Sequence, residues 1–130
     1  MAYEYGSALK ISLVAGADLS TSQYYFVKLN SSGQAVVCAA LTDTPIGVLQ
    51  NKPVSGAIAE ITVIGVSKVN SDTGITAGAV IGTAADGQAT TKTVGTNTTH
   101  YIAGQMLTTT GAAGVIGTAV INCAAPARAA

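Results

Sequence analysis

Few side chains in this 130-residue sequence could carry a reaction. The single histidine, His100, lies between Thr99 and Tyr101, so any imidazole-based proton transfer or metal ligation would rest on it alone. Cys38 and Cys123 are the only cysteines. Two thiolates cannot close a zinc site, and in a reducing compartment such residues act as small buried hydrophobes. No serine sits in a nucleophile-elbow pattern, and no Gly-rich loop ends in the Lys-Ser/Thr of a phosphate-binding loop. Paired carboxylates could still perform general acid–base chemistry. However, Asp18, Asp43, Asp72 and Asp86 all fall in turn clusters, where Asp bonds nearby backbone. Glu60 differs because it lies inside a long apolar run; it is either a rim residue or, the favoured reading, the partner of a lysine across a strand or a subunit boundary. The expectation is therefore no catalytic set, no metal, no cofactor and no small-molecule substrate. An enzyme ranks last, with Glu60 and His100 as the residues to substitute in testing it.

The tyrosines are better suited to contact than to catalysis. Tyr is apolar along its ring and polar at its tip, which favours interfaces. Tyr3 and Tyr5 lie in a short N-terminal arm, and Tyr24-Tyr25 are adjacent in a strand-like run, so one of that pair should face outward. Tyr3, Tyr5, Tyr24 and Glu60 are the candidate interface residues. The arm could equally pack locally on its own domain.

The elements that must position these residues read as strands. Leu9–Val14 alternates, with Leu9, Ile11 and Leu13 on one face. Tyr24–Leu29 and Gln34–Ala39 flank Asn30-Ser31-Ser32-Gly33 as a hairpin. Pro45–Gln50 is a short strand, and Ile58–Asn70 is the longest, with both faces apolar enough for burial on two sides and with Gly65 placed for a bulge or a close backbone approach. Ala79–Thr83 and Ala89–Val94 flank Asp86-Gly87, a pair favoured in type I′ turns. Tyr101–Thr108 and Val115–Asn122 complete the set. No repeat appears at a fixed period, although Ile46-Gly47-Val48 and Ile64-Gly65-Val66 share a short pattern. The division is an arm over 1–7, one β domain over 8–123 and a tail over 124–130 that is extended or disordered. About eight or nine short strands with regular turns make this all-β, a single sandwich or barrel.

Composition agrees. Val, Ile and Thr far outnumber Leu, and β-branched side chains favour the pleated sheet. Only 9% of residues are charged while 48% are hydrophobic, which suggests that part of the surface is covered in an oligomer or lattice, the alternative being a Thr-rich monomer with its apolar residues all inside. Six acidic and six basic residues are scattered singly, so nothing neutralises phosphates in bulk, and neither nucleic acid nor an anionic membrane is expected as a partner. The start lacks a charged region followed by an apolar stretch, and no run is long enough to span a bilayer, so a cytosolic product is expected. Asn30-Ser31-Ser32 and Asn97-Thr98-Thr99 match the glycosylation pattern but read better as turns.

Several phrases in order carry a resemblance. They are Tyr25-Phe26-Val27-Lys28-Leu29, Gly33-Gln34-Ala35-Val36-Val37, Asp43-Thr44-Pro45-Ile46-Gly47-Val48-Leu49, the Pro53 to Gly56 loop and Ala59-Glu60-Ile61-Thr62-Val63. Gly65-Val66-Ser67-Lys68-Val69, Ile75-Thr76-Ala77-Gly78 and Asp86-Gly87-Gln88-Ala89 follow. Over about its first two-thirds the chain resembles the capsid cement or head decoration proteins of tailed bacteriophages. The resemblance implies a small β-barrel or β-tulip-like domain on the outer capsid surface of the virion. It also implies a homotrimer bridging neighbouring copies of the major capsid protein. The C-terminal third departs from the pattern. Rival readings are a tail-tube, fibre or surface-layer subunit and, less favoured because the chain has no Trp, a carbohydrate-binding module.

Overall fold

A computed structural model describes residues 8–130. Every regular element in it is a strand. These are β1 (Leu9–Val14), β2 (Phe26–Leu29), β3 (Ala35–Val37), β4 (Gly47–Leu49), β5 (Ile58–Asn70) and β6 (Val80–Thr83). They are followed by β7 (Ala89–Thr91), β8 (Tyr101–Ile102), β9 (Gly104–Met106), β10 (Ile116–Asn122) and β11 (Ala127–Arg128). The all-β expectation holds, with short pieces around one 13-residue strand, β5.

Nine strands form one antiparallel sheet in the order β3-β2-β4-β5-β10-β9-β6-β7, with β1 added on β5, and β8 pairs with β11 in a separate ribbon. The long strand β5 has two working halves. Its first half pairs with β1 and β4, and its second half pairs with β10. Gly65 marks the join at φ +131°, where a Cβ would meet Ala8, so the close approach is at Gly65, while the bulge lies two residues earlier: Leu9 pairs with Ile64 and Lys10 with Thr62, which leaves Val63 as the extra residue. The expectation of burial on both faces is met only in part. Ile61, Val63, Ser67 and Val69 are buried on one face, but on the other Ile64 is exposed and Val66 half-buried. The residues 124–130 are extended, and they are anchored: β11 pairs with β8, and Ala129 is fully buried.

The sheet curls twice, and the two curls match. In the first, Ala15 forms a parallel bridge to Ala35; in the second, Ser71 bridges Ala89 in the same way. The bonds that close each curl also correspond. Ala15 N–H donates to Ala57 O as Ser71 N–H does to Val115 O, Gly56 N–H donates to Ala15 O as Gly114 N–H does to Ser71 O, and Leu49 N–H donates to Tyr25 O as Met106 N–H does to Ala79 O. Positive φ recurs at matching places, Tyr24 with Gly78, Gly33 with Gly87 and Gly56 with Gly114. Strands β1, β2, β3, β4 and the first half of β5 therefore correspond to the second half of β5, β6, β7, β9 and β10. The chain is two copies of one β unit fused through β5. In sequence the only matching phrase of note is Gly33-Gln34-Ala35 with Gly87-Gln88-Ala89, which is why reading for a fixed period finds no repeat.

Two core clusters follow from two curls. Ala15, Leu19, Val27, Ala35, Leu49, Ala59 and Ile61 fill the first. The second gathers Val63, Val69, Ile75, Ile81, Met106 and Ile121, and it also takes Phe26 and Val48 from the first unit. Adjacent strand residues point to opposite faces, so Phe26 enters one core and Val27 the other. The turns that set the hairpins differ from expectation at one point. Asp86 is not in the left-handed region, and only Gly87 is, with Gly87 N–H donating to Ala84 O and Ala84 N–H to Gln88 O. This is a type I turn followed by a glycine bulge rather than type I′.

Candidate interaction surface

The residues singled out from the sequence do not gather into one site. Tyr3 and Tyr5 lie outside the described residues. Tyr24 is half-buried in the seam between the two units. Its carbonyl accepts the Asn70 N–H at 3.0 Å, and the Lys68 ammonium lies 5.7 Å from its ring centroid. Within the chain Glu60 meets a hydroxyl: Ser12 Oγ donates to its Oε1 at 2.8 Å across the β1–β5 pair. Among the described residues the ion pair is Lys28 with Asp43, at 2.8 Å.

The turn aspartates mostly do what Asp does in turns. Asp18 accepts from Ser20 N–H, Asp86 from Gln88 N–H, and Asp43 from the N–H groups of Ala39 and Ala40. Partial burial raises the Asp43 carboxyl, but Lys28 and those two N–H groups outweigh it and hold the carboxyl below its ordinary value. Asp72 departs from the group. Burial pushes its carboxyl up against the opposing bond from Thr90, and its Oδ1 is a buried oxygen without a partner.

His100 faces a cation. The Lys92 side chain is buried, and its Nζ donates to Thr83 O at 2.8 Å and stands 3.1 Å from His100 Nδ1. Partial burial and the neighbouring ammonium both push His100 below the ordinary imidazole value. An ammonium can only donate, so His100 Nδ1 is the acceptor in this contact, and the ring nitrogen that a triad would give to an orienting carboxylate is taken up by Lys92. Here it ties β7 to the segment that leads into β8. Cys38 and Cys123 are both buried free thiols in the second core cluster, each raised to about 12 chiefly by burial. No group of three or more potential metal ligands occurs among the described residues.

What the structure offers instead is an apolar groove of about 380 Å³. Its floor is a row of cross-strand neighbours, Val120 of β10, Gln105 of β9 and Val80 of β6. Ala125 and Ala127 of the C-terminal segment and Ile102 of β8 form one wall. Beside the groove the outer face continues through Val66, paired with Val120, to the exposed Ile64 and Leu9. The groove shows a buried-type floor left open, with Val120 43% exposed. Reading strand by strand could not find it, because it depends on which strands become neighbours. The one hint was β-branched Val80 and Val120 on faces that no sequence-local partner covers.

No family model matches the chain, and no curated protein matches it. Among solved structures, the N-terminal base of the head fibre protein gp8.5 of bacteriophage phi29 is similar in fold. The TM-score is 0.63 at 16% sequence identity, over 88% of this chain and 94% of that one.

Proposed function

We propose that this chain is a non-enzymatic structural subunit of a tailed-phage virion. It binds the outer surface of the head as a homotrimer and stabilises the lattice of the major capsid protein. The observation that carries this reading is the fold likeness to a head fibre base, which runs over nearly the whole of both chains. The resemblance of the first two-thirds of the sequence to cement proteins supports it, as do the low charge and the open apolar groove. In this reading Tyr3 and Tyr5 contact the capsid, because an extended arm supplies main-chain bonds as well as two aromatic rings.

The same likeness favours a second reading, the base of a head-attached fibre. The two part in what the bound protein does. The test is co-sedimentation of purified protein with emptied heads of the phage that encodes it, followed by heating. Cement predicts saturable binding and heads that resist higher temperature. A fibre base predicts saturable binding with no change in head stability. Protein that stays in the supernatant sinks both. A folded chain lacking residues 2–5 is expected to bind more weakly, and unchanged binding would remove the role given to Tyr3 and Tyr5.

A further inference from the structure

We propose that the open groove of the second unit receives the β1 edge of a second copy. This head-to-tail contact would repeat between chains the packing that joins the two units within one chain. The two units have equivalent floors. In the first, Phe26 of β2, Val48 of β4 and Thr62 of β5 form a cross-strand row. In the second, the equivalent row is Val80, Gln105 and Val120. The first row is fully covered, at 0%, 0% and 1% exposure, because the second unit lies on it. The second row is the floor of the groove.

The elements that cover the first row identify the occupant of the second. Gly87 O accepts the Phe26 N–H at 2.7 Å, Asn70 N–H donates to Tyr24 O at 3.0 Å, and Gln50 Nε2 donates to Ser67 Oγ at 2.8 Å. The covering surface is thus the second half of β5 together with the β6–β7 turn. Their counterparts in the first unit are β1 and the Asn30–Gly33 turn, and these lie open. Ser67 and Val69 are fully buried, whereas the matching Ile11 and Leu13 are only half-buried. A side chain on Gly87 would collide with Val37 and press on the Phe26 carbonyl, whereas Gly33 has nothing within 4 Å.

The edge itself is available for pairing. Among the described residues β1 pairs only with β5. Ser12 stands opposite Glu60, whose carbonyl accepts from Gln50 on the β4 side, so the Ser12 N–H faces the free edge. The first unit therefore presents the surface that the second unit's groove is built to accept. The β8–β11 ribbon, which has no counterpart in the first unit, narrows the groove along one wall and leaves the row open. Because groove and edge are different surfaces, the contact is heterologous. It closes into a ring or runs on as a chain according to the rotation between copies.

This inference rests on the internal repeat and not on the head reading, which co-sedimentation tests separately. The experiment is light scattering and sedimentation velocity on the full chain, on Val120→Arg in the groove and on Val14→Arg at the β1 edge. Both positions are exposed, at 43% and 39%, so both variants should keep the wild-type melting curve. Wild type is expected to associate as concentration rises, and each variant to weaken association at least tenfold. An equimolar mixture of the two variants is expected to form dimers and stop there. Each such dimer would join the intact edge of the Val120→Arg copy to the intact groove of the Val14→Arg copy. A wild-type monomer at every soluble concentration would overturn the proposal. So would wild-type association that neither variant weakens, or a mixture that pairs no better than its components.

Discussion

Val48 and Val120 occupy neighbouring places in equivalent rows of the two units, yet one is sealed and the other open, and truncating each to alanine should reveal the difference. Val48 has 0% exposure, and the transfer term for its lost carbons is about 0.8 kcal/mol each. The unfilled space adds to that, for a total of roughly 2–3 kcal/mol. Val120 keeps 43% of its surface in solvent, so its truncation should cost no more than about 0.5 kcal/mol. For a chain of this length 1 kcal/mol shifts the melting temperature by roughly 4 °C. Val48→Ala is then expected to melt about 8–12 °C lower, and Val120→Ala within about 2 °C of wild type. The assay is thermal and urea unfolding followed by circular dichroism, at concentrations where the wild type is a monomer. Equal losses at the two positions would refute the claim that one row is the covered counterpart of the other.

Three other outcomes follow from the packing and the titrating groups. Gly47 and Gly104 are equivalent, and a Cβ on either would collide with a backbone carbonyl of the next strand, that of Thr62 or of Val120, so each Gly→Ala variant should lose ~2 kcal/mol or more in urea unfolding; a neutral result at either would contradict the close approach. His100 is held below its ordinary 6.5 in the folded chain, so the unfolded chain takes the proton first and stability should fall as the pH drops through about 6.5. His100→Gln should flatten the stability profile in that window, and an unchanged slope would exclude His100 as its source. Cys38 and Cys123, both raised to about 12 and buried, should react with a thiol reagent at pH 8 only as fast as the chain unfolds; prompt labelling of the native protein would contradict their burial.

Period-two alternation was enough to place most of the strands. β5 has the bounds read from it, Ile58–Asn70, and the β2–β3 and β6–β7 hairpins form around the expected turns. Local pattern works there because register and side-chain facing are set within a few residues. What escaped was non-local. The repeat hides because the two units share turn geometry and bonding but not side chains: where the first has Phe26 and Val48, the second has Val80 and Gln105. The same non-local pairing decides that Tyr24 lies in a seam and that Glu60 meets Ser12 within the chain. The tail showed no periodicity because two paired residues, Ala127 and Arg128, are too few to display one.

The most direct test of the head-bound reading is a cryo-electron microscopy difference map between heads of the encoding phage with and without this protein. Discrete extra density on the outer capsid surface, shaped as a two-lobed β subunit and related by a local three-fold, is the expected result. Identical heads, or extra density confined to the tail, would contradict it.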